Sequence, residues 1–221
     1  MTKEEFKGLS AELQDLAKII PLQWGNIQNN STDSKIDMFQ IDSFAKLEHN
    51  VQSLTDDDKN YFRRRWFVWK CSKCDEHIFN ANLNVSSNPN FKDQSYDIEF
   101  NNNKELRFDL KGTVIPRRFR ENISEVLENP QEMLRFFYDE QSKGVRNHNQ
   151  NRLFLVHHSF RNQDREMYLR CYWDFKMKIY SDYCSRITQY SNFYSYKSVY
   201  SDVIFIIENS DKSFTYKFFA V

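Results

Sequence analysis

The chain has 221 residues, with 31 basic and 31 acidic side chains and a formal net charge of zero. That balance excludes a protein whose whole surface grips nucleic acid, and the length suits a single domain with a large core. Twenty Phe and twelve Tyr against four Gly and four Pro leave little room for long flexible linkers.

The chain has four cysteines, no signal-type hydrophobic run at its N-terminus and no apolar stretch long enough to cross a bilayer. Those features predict a cytoplasmic protein without a membrane partner. Glu4 to Ile19 has amphipathic helical spacing closed by Pro21, and Asn26 to Ser34 reads as a polar loop, so residues 1–37 form an N-terminal helical extension. Phe44, Leu47, Val51 and Leu54 recur at helical spacing and predict a helix that carries Glu48 on its flank. Trp66 to Lys70 and His77 to Val85 read as strands. Between them Cys71-Ser-Lys-Cys74, followed by Asp75-Glu76-His77, has the spacing of half a zinc site. No second Cys-x-x-Cys exists to complete it, so zinc is not expected and a turn between two strands is the simpler reading.

Ser95 to Val114 alternates apolar and polar residues on two arms that flank Asn101-Asn102-Asn103-Lys104. Tyr96, Ile98, Phe100, Leu106, Phe108, Leu110 and Val114 form an apolar set, while Asp97, Glu99, Arg107, Asp109, Lys111 and Thr113 form a polar one, the pattern of a hairpin with one buried face. A one-residue slip would mix the two sets, so Phe100 faces Leu106 and Asp97 faces Asp109, with Cβ atoms about 4.5–5.5 Å apart. Two carboxylates at that distance repel unless a proton or cation lies between them, and hard oxygen ligands suit Mg²⁺ or Mn²⁺. Lys111, two residues on and on the same face, is placed to orient or deprotonate a water, or to stabilise charge on an attacked phosphate.

Basic clusters occur at Arg63-Arg64-Arg65, at Arg117-Arg118-Phe119-Arg120 and between Lys143 and Arg152, the last including Arg146. Together they could contact roughly six phosphates, with steep salt dependence. Arg117, Arg118 and Arg120 directly follow the motif strand and are expected beside the acids. Asn129-Pro130-Gln131-Glu132 predicts a helix start, with a capping Asn and Pro at the first helical position, and Gly144 an end. Arg152 to His158 is an apolar run fit for a buried strand, and its two histidines are read as structural. Asp164 to Gln189 reads as one long helix and Ser191 to Ser201 as a loop. Asp202 to Glu208 with Ser213 to Ala220 reads as a second hairpin.

Asp97, then Asp109-x-Lys111 across a hairpin, resembles the PD-(D/E)xK nuclease superfamily, the restriction-endonuclease-like proteins. Two departures are visible: Tyr96 stands where the family has Pro, and the second acid is Asp where Glu is commoner. The resemblance covers about residues 38–158 and implies an α/β fold whose core runs helix, three antiparallel strands, helix, strand. A mixed central sheet would be flanked by helices, with residues 159–221 as a C-terminal helix and hairpin annex. It implies metal-dependent endonucleolytic hydrolysis of DNA, with Asp97, Asp109, the Leu110 carbonyl and Glu48 as metal ligands and Lys111 acting on the attacking water. By analogy alone, the size suits a restriction-type homodimer; a structure-specific repair or recombination nuclease has the same core. Two other readings stay open: a non-catalytic nucleic-acid-binding or protein-interaction domain with solvated hairpin acids, and a zinc-stabilised adaptor built around Cys71 and Cys74.

Overall fold

The computed structural model describes residues 1–20, 30–90, 93, 95–140 and 150–221. In chain order the helices before the sheet are α1 (Lys3–Leu16), α2 (Asn30–Asp33), α3 (Phe44–Val51) and α4 (Asp56–Asn80). Strands β1 (Val85–Ser87), β2 (Ile98–Phe100) and β3 (Arg107–Val114) follow, then α5 (Ile123–Glu128), α6 (Gln131–Asp139) and β4 (Arg152–Ser159). The chain ends with α7 (Arg165–Leu169), α8 (Trp173–Arg186), β5 (Tyr194–Tyr196), β6 (Val199–Glu208) and β7 (Phe214–Phe218).

Helix α4 replaces the two strands expected from Trp66 to Lys70 and from His77 to Val85. Its start is strongly specified: the Thr55 side chain accepts from the Asp58 amide, and Asp56, Asp57 and Asp58 complement the helix dipole. No Gly or Pro interrupts the following two dozen residues. Phe62, Trp66, Phe67, Cys71, Cys74 and Ile78 are buried at helical spacing, so tertiary packing overrides the β propensity of Trp-Phe-Val-Trp. Cys71 and Cys74 therefore lie inside a helix and not in a turn. Both are buried free thiols, and Cys71 Sγ faces Cys171 Sγ at 3.9 Å.

Among the described residues the strands form one seven-stranded mixed sheet, in the order β1-β2-β3-β4-β6-β5, with β7 also on β6. The first three strands are antiparallel, whereas β3, β4 and β6 run parallel. β5 and β7 share the outer edge of β6, β5 along its first residues and β7 along the rest. Residues 159–221 thus supply an interior strand, β6, whose partners lie on both sides, as well as a helix packed on α4. Pairing carries Leu110 to Leu153 and Leu155 to Ile204, on the face that shares a core with α4 and α8, with α1 and α3 packed on α4. The opposite face carries Phe154, Val156, Val203 and Phe205 and packs on α5 and α6.

Three further expectations meet a different structure. The helix expected from Asp164 to Gln189 is broken between α7 and α8: Tyr172 leaves the helical region, and the Arg170 carbonyl accepts instead from Lys176 Nζ at 3.0 Å. The loop expected from Ser191 to Ser201 is a hairpin whose turn holds Lys197 at φ 54°, a tight turn without the glycine that usually announces one. Helix α6 begins where expected, but with Pro130 at the N-cap and no side-chain cap from Asn129. The expected end of that helix at Gly144 lies outside the described residues, as do Pro21 and much of the Asn26 to Ser34 segment. Among the described residues no helix is long and apolar enough to cross a membrane.

Gly112 on β3 is required by a close approach. A Cβ there would stand 2.6 Å from Arg170 Nη1, and that arginine is itself buried. Gly112→Ala is expected to destabilise by about 1–3 kcal/mol through overpacking. Gly8→Ala, in the interior of α1 with nothing within 4 Å, is expected to stabilise by up to about 1 kcal/mol. Urea denaturation of the two variants checks both signs.

Candidate functional site

The motif hairpin forms with the expected register over its described ladder, Ile98 opposite Phe108 and Glu99 opposite Arg107. Beyond Ile98 the two strands begin to part. Asp97 donates its amide to the Phe108 carbonyl at 2.9 Å, and its carboxylate Oδ2 accepts from the Leu110 amide at 2.7 Å. A side chain thus takes the place of the next ladder bond. The Asp109 amide turns to β4, donating to the Asn151 carbonyl at 2.9 Å. The outer polar pair is a plain cross-strand ion pair, Arg107 Nε to Glu99 Oε2 at 2.5 Å, with the guanidinium 4.4 Å over the Tyr96 ring.

Asp109 is buried with two different oxygens. Oδ1 accepts from Lys111 Nζ at 2.7 Å. Oδ2 makes no hydrogen bond and faces Arg152 Nε at 3.6 Å. Asp97 is pushed up to about 6, first by burial and then by the negative charges of Asp109 and of Glu76 on α4; its bond from the Leu110 amide opposes the rise. Lys111 retains 28% of its side-chain exposure, so the ammonium stands at the open rim of an otherwise buried pair.

The structure does not bring Glu48 to these acids. On α3 its carboxylate takes a bidentate contact from Arg63, 2.7 Å to Nε and 2.5 Å to Nη2. Arg63 and Glu76 are thirteen residues apart on α4, about 20 Å along the axis. Glu76, which also pairs with Lys73 at 2.7 Å, is the helix acid whose charge reaches Asp97. It escaped the sequence reading because its helix did.

The arginines are also redistributed. β3 carries the chain about 17 Å from Asp109 to Val114, so Arg117, Arg118 and Arg120 emerge at the far end of the strand from the acids. Arg117 and Arg118 are exposed, with Arg118 4.9 Å over Phe119 and 5.2 Å over Phe136. It lines a cleft of about 210 Å³ whose other charged groups are Glu132, Arg135, Asp139 and Glu140, a mixed lining unlike a phosphate groove. Arg120 is held by Glu166 through two contacts of 2.8 and 2.6 Å, and Glu166 also meets His158 Nδ1 at 3.0 Å. Arg152 is buried beneath Tyr138, 5.0 Å from its ring, and its side chain serves Asp109 instead of reaching solvent. Arg146 lies outside the described residues. His157 is fully buried, burial lowers its pKa, and Nδ1 meets the Thr113 carbonyl at 3.2 Å.

What the arrangement can do follows from its donors. Asp97 and Asp109 are hard oxygen ligands, mutually repelled, with one buried oxygen lacking a hydrogen bond; that is the environment a divalent cation or a shared proton relieves. Among the described residues no group of three or more Asp, Glu, His or Cys side chains is close enough to hold a metal ion, so a cation here would rest on two carboxylates completed by backbone oxygen and water. No family model matches this chain, no curated protein matches it, and no solved structure matches it.

Proposed function

We propose that the protein is a metal-dependent endonuclease that hydrolyses DNA phosphodiester bonds at Asp97, Asp109 and Lys111. The observation that carries this reading is the placement of two carboxylates and a lysine at one spot: Asp97 accepts from the Leu110 amide, and the adjoining buried Asp109 accepts from Lys111, with burial and the Asp109 charge raising the pKa of Asp97. The element order adds support: α4, the antiparallel strands β1, β2 and β3, then α6 and the parallel strand β4 follow the order that the motif's resemblance implies, with α4 in the place expected of α3.

A divalent cation, when bound, would lower the pKa of a coordinated water and offset charge on the attacked phosphoryl group. Asp97, Asp109 and the Leu110 carbonyl would hold it, with Glu76 on α4 adding negative charge near Asp97 without joining them as a ligand. Arg152 orients Asp109 from below. Lys111, tethered by Asp109 and open to solvent, presents an ammonium proton to the attacking water or to a phosphoryl oxygen. Two copies acting on opposite strands remain the simplest way to cut both.

A second reading has its own observation. Lys111 and Arg152 already flank Asp109 with positive charge, as they would in a purely structural ion cluster of a nucleic-acid-binding or interaction domain. Supercoiled plasmid incubated with Mg²⁺, Mn²⁺ or EDTA separates the two. Metal-dependent nicking is expected from the wild type, with a loss of at least about 100-fold in Lys111→Ala and in Asp109→Ala. Cleavage by Lys111→Ala at the wild-type rate overturns the assignment, and a wild type inert with both metals favours the structural cluster.

A further inference from the structure

We propose that the stacked rings of Tyr138 and Tyr196 form a platform on which a base of an unpaired DNA strand stacks, a few nucleotides from a phosphate held at the Asp97–Asp109 pair. The inference rests on the nuclease reading of that pair and adds a substrate contact to it.

The acid pair does not stand alone on its sheet face. Strand pairing places Asp109 beside Arg152, Arg152 beside Ser201 and Ser201 beside Tyr194, so one row of side chains on one face runs from β3 to β5. Three strand spacings cover about 14 Å. Above that row the contacts are continuous. Lys111 Nζ meets Asp109 at 2.7 Å, Asp109 meets Arg152 at 3.6 Å, and the Arg152 guanidinium lies 5.0 Å from the Tyr138 ring centre. Tyr138 stacks on Tyr196 with centroids 4.7 Å apart and planes 10° from parallel, and Lys197 Nζ lies 4.9 Å from the Tyr196 ring centre.

Exposure rises along the aromatic end of this ladder. Tyr138 is buried and its hydroxyl donates to the Gln150 carbonyl at 3.3 Å, so it forms the floor of the stack. Tyr196 is half-buried at the mouth of the β5–β6 turn, and its hydroxyl is held by Asp139, which sets the ring plane. Lys197 is exposed and covers Tyr196 only with an ammonium, a cation–π contact weak at the surface. A nucleobase brings a flat π face to the same place and is expected to displace it. The freed ammonium then stands where the strand's phosphate passes. The groups a strand can touch are the ends of this ladder, Lys111 beside the acid pair and Tyr196 with Lys197, while buried Arg152 and Tyr138 form the packed support between them; stacking on Tyr196 is tolerant of sequence because every base has a π face.

The test is binding in EDTA, where no cleavage intrudes. A short labelled oligothymidylate and an abasic strand of the same length are titrated with wild-type protein by fluorescence anisotropy. The wild type is expected to favour the oligothymidylate by about tenfold. Tyr196→Leu should lose that preference and Tyr196→Phe keep it. Lys197→Ala, at an exposed position, should weaken both strands and reduce the salt slope by about one. Equal affinity of the wild type for both strands, no binding of either, or an unchanged preference in a folded Tyr196→Leu overturns the platform. Plasmid nicking with Mg²⁺ is read separately. Nicking without base preference removes the platform and keeps the nuclease, whereas base preference without metal-dependent nicking keeps the platform and removes the nuclease.

Discussion

Lys176→Ala is expected to cost about 3–5 kcal/mol of stability, a large share of the roughly 5–15 kcal/mol a domain of this kind possesses. Lys176 is fully buried on α8, with Nζ 2.5 Å from Asp75 Oδ1 and 3.0 Å from the Arg170 carbonyl. Asp75 is buried on α4 and also accepts from Tyr180 OH at 2.9 Å. Truncating the lysine leaves a carboxylate in the core with a hydroxyl and the more distant charge of Arg170, and it frees the carbonyl that closes the α7–α8 break. For a domain of this size, each kcal/mol moves Tm by about 2–4 °C, so a fall of about 6–20 °C is expected by calorimetry. The double variant Lys176→Met with Asp75→Asn should recover part of that loss, since no uncompensated charge remains. A Lys176→Ala protein that melts within 2 °C of the wild type (less than about 1 kcal/mol) would show that the α4–α8 contact does not depend on this ion pair.

That pair also shows where a sequence reading stops. The β2–β3 hairpin was legible because one face is buried and the other half-open, which forces strict alternation; β4 was legible because burial on both faces leaves an unbroken apolar run. Helix α4 was not. Its buried residues, from Tyr61 and Phe62 to Ile78 and Phe79, are spread around the helix because α1, α3, α8 and the sheet all pack on it, so no single stripe marks the period. Once α4 is lost, Glu76 is lost with it, and the acid on the neighbouring amphipathic helix, Glu48, takes its place by default. Arg117 to Arg120 failed for another reason. Adjacency in sequence to Asp109 is adjacency in space only if the strand between them is short, and β3 is eight residues long. Arg152 and Tyr138 reach the site through parallel pairing and helix packing, which no local spacing encodes.

The charge on Asp97 gives the site a thermodynamic signature independent of turnover. Its folded pKa of about 6 lies above the ordinary 3.8, so between about pH 4 and pH 6 the folded state holds a proton that the unfolded state has released. Stability therefore falls as pH rises through that window, and above it the ionised carboxylate costs about 2–3 kcal/mol. Asp97→Asn keeps an oxygen to accept from the Leu110 amide but removes the charge. The variant is expected to match the wild type below pH 4 and to exceed it by about 2 kcal/mol at pH 7.5. Asp202, buried on β6 and likewise pushed up to about 6, contributes the same slope to both proteins and cancels in the difference. A divalent cation changes the sign of the comparison. Bound between Asp97 and Asp109 it favours the ionised form, so millimolar Mg²⁺ or Mn²⁺ should raise the wild-type Tm at pH 7.5 and leave Asp97→Asn nearly unmoved. A wild type whose melting is indifferent to both metals, with the pH-dependent difference intact, would make the acid pair a structural proton-sharing site; a difference that does not vary with pH would remove the repulsion between Asp97 and Asp109 from which the functional reading starts.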